Sequence, residues 1–127
     1  MYVNHNKLTT WTADSVEFEL ANSDSFLEKC ILLLHDHQNE VEKLARVTIN
    51  DNDSGLQQTD ALAFSLYAEK LDRGQHLSSE DLQDCRIPWH RGKRPVQRIA
   101  KYRKQLVRIF ERQAAKNLLA LYEFVNQ

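Results

Sequence analysis

Residues 96–125 read VQRIAKYRKQLVRIFERQAAKNLLALYEFV, the longest helix that the sequence predicts, with roughly eight turns. Projected at about 100° per residue, the cations fall on one side of this helix and the apolar residues on the other. The cations form a stripe of Arg94, Arg98, Lys101, Arg108, Arg112 and Lys116. The apolar side comprises Val96, Ile99, Leu106, Phe110, Ala114, Leu121 and Val125. Arg103 alone interrupts the apolar side, where a charge must be paired or must reach the edge.

The charge of the chain is divided between an acidic and a basic part. Residues 1–85 hold 6 Lys and Arg against 16 Asp and Glu, whereas residues 86–127 hold 11 against 2. A basic C-terminal third on an acidic body indicates a nucleic-acid or acidic-protein partner. It equally fits two parts that face each other, within one chain or between two copies. The sequence leaves these alternatives open.

The bulk composition favours one helical domain. A chain of 127 residues with 42% hydrophobic residues is of ordinary domain size and can bury a core. Only 3 glycines and 2 prolines occur, which disfavours a many-turned all-β fold and favours long helices. We therefore expect residues 1–127 to form a single, mainly α domain. Its predicted fold resembles a four-helix bundle with a long basic C-terminal helix.

Three further helices are predicted ahead of the long one. From Ser23 onward, apolar residues recur at three- and four-residue spacing for roughly six turns. A second helix begins near Thr59 and ends at Gly74, after a loop rich in Asn, Asp and Ser. A short third helix begins after Ser78, because Asp81 three residues on completes a pattern typical of a capping box.

The two remaining segments are assigned from alternation and composition. Val16, Phe18 and Leu20 alternate with two glutamates, which is the period of a half-buried strand. Residues 1–22 are therefore predicted to form a short N-terminal strand or an extended arm. Residues 86–95 contain both prolines, a glycine and several cations, and are predicted to be a basic linker.

The basic stripe and the linker are the strongest candidate site in the sequence. Cations about one turn apart match a row of phosphates, and an aromatic residue among them can stack on a base. We predict contact with a DNA or RNA backbone through Trp89, Arg91, Lys93, Arg94, Arg98, Lys101, Arg108 and Arg112. The alternatives are an acidic protein surface, including that of a second copy, and a solvated helix face.

The end of the long helix is apolar on more than one face, and an isolated monomer would leave that surface exposed. We therefore expect contact with a second copy or a protein partner through Leu118, Leu121, Tyr122 and Val125. Two functions compete on this basis. One is a nucleic-acid-associated accessory protein, and the other is a protein-interaction or inhibitor module that assembles through complementary acidic and basic surfaces.

No pattern typical of catalysis, of a cofactor or of a metal site stands out. Residues 50–55 resemble the start of a calcium loop, but Ala61 occupies the twelfth position, where a bidentate Glu is required. Cys30 and Cys85 lack the spacing of a metal or redox site. The longest apolar stretch, residues 31–34, is far too short to span a bilayer. We expect a non-catalytic cytoplasmic protein that binds no membrane, metal or cofactor.

A series of landmarks runs along residues 26–106. They are Phe26-Leu27, Ile31-Leu32-Leu33, Gln38, Gly55-Leu56, Asp60-Ala61, Ser65-Leu66-Tyr67-Ala68, Gly74, Leu77-Ser78, Lys101-Tyr102 and Gln105-Leu106. In order and spacing as far as Ser78, they resemble a small helical module found in phage, plasmid and other mobile-element proteins, alone or beside helicase-like domains. The module's His-Asn-Gly loop is replaced here by residues 50–54, and residues 86–94 are inserted. The resemblance implies a helical accessory protein of prokaryotic or mobile-element origin near nucleic-acid metabolism, with no assigned activity.

Overall fold

The computed structural model describes residues 11–45, 58–89 and 94–125, without the side chains of residues 39–45 and 58. Along the chain it contains α1 (Ala13–Asn22), α2 (Asp24–Ala45), α3 (Gln58–Asp72), α4 (Ser79–Cys85), β1 (Pro88–Trp89), β2 (Val96–Gln97), a 3₁₀ helix (Ile99–Tyr102) and α5 (Arg103–Val125). The predicted mainly α fold with a long C-terminal helix is confirmed.

The N-terminal segment is a helix, so the predicted strand or arm is wrong for residues 13–22. Thr12 caps α1, because its hydroxyl accepts the Ser15 N–H at 3.1 Å while the Ser15 hydroxyl accepts the Thr12 N–H at 2.8 Å. Val16 and Leu20 lie one turn apart and are fully buried, whereas Phe18 is 63% exposed. The exposed Phe18 produced the misleading alternation. Residues 1–10 lie outside the described part of the chain.

Ser23 joins α1 to α2 and serves both helices. Its N–H donates to the Glu19 carbonyl at 2.8 Å, which closes α1. Its hydroxyl accepts the Phe26 N–H at 3.2 Å, which caps the start of the long amphipathic helix α2. A single residue therefore makes the corner, and α1 packs back against α2.

The core lies between α2 and the helices that surround it. α2 packs against α3 and α5, and α1 packs against α5 and the 3₁₀ helix. The buried apolar residues are Val16, Leu20, Leu27, Cys30, Ile31, Leu34, Phe64, Ala68, Leu77, Cys85, Ile99, Ala100, Tyr102, Leu106, Ile109 and Phe110. Burial raises the pKa of both cysteine thiols to about 12, so neither thiol ionises near neutral pH.

Three stacked aromatic rings mark the place where α5 leaves the core. Trp11 lies 5.0 Å from Phe26 and 5.4 Å from Phe110, measured between ring centres. Beyond Phe110, Ala114 is the last partly buried residue of α5, and residues 115–125 are all exposed. The second half of α5 therefore projects from the body of the molecule.

The segment predicted as a linker contains β1, which pairs antiparallel with β2 in the register Pro88 to Gln97 and Trp89 to Val96. The long helix therefore begins at Arg103, after β2 and the 3₁₀ helix, and the predicted start at residue 96 is wrong. The cause is competition for backbone groups, since the Arg98 N–H donates to the Ile87 carbonyl at 2.8 Å instead of continuing a helix.

Alanine substitutions distinguish the helix α1 from a strand. We expect Leu20→Ala to lower the free energy of unfolding by about 2–5 kcal/mol, because it leaves a cavity in the core. The control Phe18→Ala should change it by no more than about 0.5 kcal/mol. Urea denaturation measures both. Equal decreases would contradict α1, because a strand places the two residues on one face.

Candidate functional site

A buried carboxylate on the first turn of α3 holds the beginning of the basic segment. Asp60 is 2% exposed. It accepts hydrogen bonds from Arg98 Nε at 2.6 Å, from Lys101 Nζ at 2.6 Å and from the Tyr102 hydroxyl. Both carboxylate oxygens are engaged, and the three donors lie close together in the chain, around the 3₁₀ helix. A buried charge needs such paired donors to be tolerated.

A second carboxylate, Asp84 on α4, shares the guanidinium of Arg98. It accepts Arg98 Nη1 at 2.8 Å and the Tyr67 hydroxyl at 2.5 Å. Burial, together with the hydrogen bond to Asp84, raises the pKa of Tyr67, so the phenol stays a donor. The Arg98 guanidinium lies 5.6 Å from the centre of the Phe64 ring. Arg98 thus bridges α3 and α4, and its guanidinium lies over the face of the Phe64 ring.

The protonation state of Asp60 follows from its donors. Burial alone would raise the pKa of this carboxyl, but the hydrogen bonds from Lys101, Tyr102 and Arg98 outweigh burial and lower it. Asp60 is therefore ionised at neutral pH. The cluster of Asp60, Asp84, Arg98 and Lys101 contains two carboxylates and two cations, and its formal charge is balanced.

Two outer ion pairs continue the same association between the acidic body and the basic segment. Arg94 donates to both oxygens of Glu17 at 3.0 and 2.9 Å, and this bidentate contact lowers the pKa of Glu17. Arg86 Nη1 lies 2.8 Å from Asp24 Oδ1, and its Nε donates to the Leu20 carbonyl at 2.9 Å. Both pairs join α1, or the corner after it, to the region around the β1–β2 pair.

A cleft of about 200 Å³ opens beside Asp60. It is lined by Thr59, Asp60, Ile87, Pro88, Trp89, Arg98 and Lys101. Lys101 Nζ lies 4.7 Å from the centre of the Trp89 ring. Trp89 is partly buried there, so one predicted base-stacking residue contacts a cation of its own chain.

A second set of cations remains exposed along α5. This cation row consists of Lys104, Arg108, Arg112 and Lys116, spaced by four residues. None of the four forms an ion pair with an acid in the described part of the chain. Arg112 and Lys116 border a cleft of about 190 Å³ between α2 and α5, opposite Asp36. Cations one turn apart without fixed counter-ions can bind a row of external anions.

The projecting end of α5 exposes a large apolar surface. Leu118, Leu121, Tyr122 and Val125 form an apolar stripe at helical spacing, and they are 54%, 60%, 65% and 69% exposed. Leu119 and Phe124 add further exposed apolar surface on the flanks. The predicted exposure of this helix end is confirmed.

The structure divides the seven predicted nucleic-acid cations into three groups. Arg94, Arg98 and Lys101 are engaged in ion pairs with the body, whereas Arg108 and Arg112 are exposed. Arg91 and Lys93 lie outside the described residues. Arg103, placed by the pattern on the apolar side, reaches the edge and donates to the Ala100 carbonyl at 2.9 Å.

Sequence reasoning missed the acids that hold these cations. The opposed charges of the two parts of the chain were the available signal, but they do not indicate which of the 16 acids in residues 1–85 each cation contacts. Lys104 was also missed, because it lies at the border of the projected stripe.

Comparisons with known proteins add no relative. No protein-family model matches the chain, and neither the curated proteins nor the solved structures contain a match. Among the described helices, none is both long and apolar enough to cross a membrane. Within the same residues, no three His, Cys, Asp or Glu side chains are grouped to hold a metal ion.

Removing the charge of Asp60 tests the ionic cluster. We expect Asp60→Asn to lower the free energy of unfolding at pH 7 by about 3–5 kcal/mol, because it leaves Arg98 and Lys101 buried without their shared counter-ion. Asp72→Asn, an exposed site on the same helix, is the matched control and should have little effect. Denaturant unfolding of both variants measures the difference.

The pH dependence of unfolding reports on the same cluster. Because the pKa of Asp60 is lowered in the folded state, its contribution is fully present above the unfolded value of about 3.9 and disappears as the pH falls through the folded value. Wild type should therefore be destabilised below about pH 4 more steeply than Asp60→Asn. Equal acid dependence of the two proteins would contradict this assignment.

Proposed function

We propose that the protein is a non-catalytic interaction module whose copies associate through the projecting end of α5. The observation that carries this proposal is the apolar stripe, exposed over the last two turns of a helix that has already left its own core. A contiguous exposed apolar surface is typical of an interaction site rather than of the surface of a monomer.

The ion pairs of the body favour an apolar contact between copies over an ionic one. The opposed charges of the two parts of the chain would also allow acidic and basic surfaces of different copies to meet. Arg86, Arg94, Arg98 and Lys101 instead bond to acids of the same chain. Apart from the exposed cation row, the surface that remains on the C-terminal segment for a second copy is the apolar stripe, whose burial would contribute roughly 25 cal/mol for each Å² removed from water.

Polar substitutions in the apolar stripe test self-association. We expect wild type to form dimers or larger assemblies at micromolar concentration, and Leu118→Ser with Leu121→Ser to shift the protein to monomer. The reason is that two exposed leucines at the centre of the contact no longer gain from burial. Sedimentation velocity over a concentration series measures the shift.

A matched control exists on α3. Leu62 and Leu66 are 69% and 59% exposed and also lie one turn apart. Leu62→Ser with Leu66→Ser removes a similar exposed apolar surface and should leave the assembly unchanged. A wild-type chain that stays monomeric throughout the series would refute the proposal.

The cation row favours a second candidate function, contact with a nucleic-acid backbone. Its four side chains are exposed and one turn apart, as contact with successive phosphates requires. This role agrees with the resemblance to mobile-element modules and with a cytoplasmic, prokaryotic accessory protein. It needs no base-specific contact, so binding would be insensitive to sequence.

Neutral substitutions in the cation row test this second function. We expect Arg108→Gln with Arg112→Gln to weaken binding to all mixed-sequence duplexes alike. The slope of log affinity against log salt should fall in magnitude by about 2, because each substitution leaves one phosphate without its cation. Fluorescence anisotropy at several salt concentrations measures both effects.

The control removes two exposed cations elsewhere. Lys29 and Arg73 are exposed on α2 and just after α3, so Lys29→Gln with Arg73→Gln lowers the net charge equally. Equally weakened binding in both double variants would show that total charge, and not the cation row, determines affinity.

A further inference from the structure

The apolar stripe and the cation row lie on different faces of α5. At about 100° per residue, their centres are separated by about 110° around the helix. The side chains that α5 buries, Leu106 and Phe110 among them, lie on the other side of the apolar stripe. Seen down the axis, the core-facing side, the apolar stripe and the cation row therefore occupy three different faces of α5, with the stripe between the other two on one side.

The size of the apolar stripe suits a second helix of the same kind. It covers residues 118–125, about 10 Å of helix. The exposed parts of its four side chains amount to roughly 400 Å² per copy, or about 800 Å² in a pair. A stable interface buries about 1,200–2,000 Å². A pair formed through the stripe alone is therefore weaker than a standard interface, which fits association at micromolar concentration, and a further contact would strengthen it.

Charge selects the direction of such a pair. Parallel helices would place the two cation rows alongside each other and bring two negative helix ends together. Antiparallel helices oppose their dipoles and move the cation rows to opposite ends of the pair. The nearest cations of the two rows, at Lys116, then lie about 16 Å apart along the axis, further than the screening length of about 8 Å at physiological salt.

We propose that two copies pair antiparallel through the apolar stripe, and that the pair, rather than the single chain, forms the binding surface for the phosphate backbone of a duplex nucleic acid. The inference rests on the self-association proposed above. It adds the ligand of the assembled pair, a duplex nucleic acid, and the reason why two copies assemble.

Symmetry places both cation rows on one side of this pair. The two-fold axis of an antiparallel pair is perpendicular to the plane that contains both helices. Residues that lie above this plane in one copy therefore lie above it in the other copy too. The cation rows therefore share one face, and the two bodies lie towards the opposite face. The outer ends of the rows are about 52 Å apart, equivalent to about 15 base pairs.

Binding and pairing are coupled in this arrangement. A duplex long enough to reach both rows holds the two copies side by side, which raises their effective concentration for the weak apolar contact. Because such a duplex meets eight cations on the pair and four on a single chain, it favours the pair. A short duplex reaches one row only and gives no such gain.

Duplex length provides the test. The full chain is titrated with mixed-sequence duplexes of about 8 and about 24 base pairs, one shorter and one longer than the estimated span. We expect two chains on the longer duplex by sedimentation velocity, with an affinity at least about tenfold higher than for the shorter duplex. Leu118→Ser with Leu121→Ser should abolish this length preference while the cation row stays intact. The control Leu62→Ser with Leu66→Ser should retain it.

The outcomes separate this inference from the function on which it rests. Wild type that self-associates but binds neither duplex, or binds both equally as single chains, overturns the inference and leaves the self-association in place. Wild type that stays monomeric throughout the concentration series without nucleic acid refutes the self-association, and it overturns the inference that rests on it.

Single cysteines test the direction of the helices. Leu121 lies near the two-fold axis, and Val125 lies away from it. In the presence of the longer duplex, Leu121→Cys should therefore form a disulfide-linked dimer under mild oxidation, and Val125→Cys should not. Efficient linkage through both positions would indicate parallel helices and overturn the inference. The native Cys30 and Cys85 are buried, so they do not interfere.

Discussion

The buried carboxylate of Asp60 is the contact on which the rest of the fold depends. A charge that is 2% exposed is tolerated only where donors meet it, and here all three come from one short stretch of chain, at Arg98, Lys101 and Tyr102. This requirement fixes the start of the C-terminal segment against the first turn of α3. Asp84 then fixes the same arginine from α4, so three elements meet at one guanidinium.

The ionic cluster also sets the rotation of α5. Once Tyr102 faces Asp60, the helical period turns Leu106 and Phe110 towards the core, where they are buried. Residues on the opposite side of the helix, including Arg108 and Arg112, are turned to solvent. The exposure of the cation row is therefore a consequence of how a different pair of cations is buried earlier in the chain.

Sequence reasoning succeeded where one helix face met the core, and it failed where the local pattern was ambiguous or where contacts between distant segments decided the outcome. The period of α2 and the capping box at Ser78 are local, and both were predicted. The helix α1 was missed because Phe18 is an exposed aromatic residue inside a short segment, and two periods fit five residues almost equally well. The start of α5 was missed because pairing with β1 takes the backbone groups that a helix would have used.

The candidate site shows the limit of a helical projection more sharply. A projection assigns every cation on the polar side to solvent, because it contains no information on what lies opposite. Arg98 and Arg108 occupy the same projected stripe, yet the first has a side chain 19% exposed and bonded to two acids, and the second is exposed. What separates them is their place in the C-terminal segment: Arg98 precedes α5 and bonds to acids of α3 and α4, whereas Arg108 lies within α5. The charge asymmetry of the sequence therefore combines two sets of cations: the described ones from Arg86 to Lys101 pair with acids of the same chain, and those after Arg103 are exposed along α5.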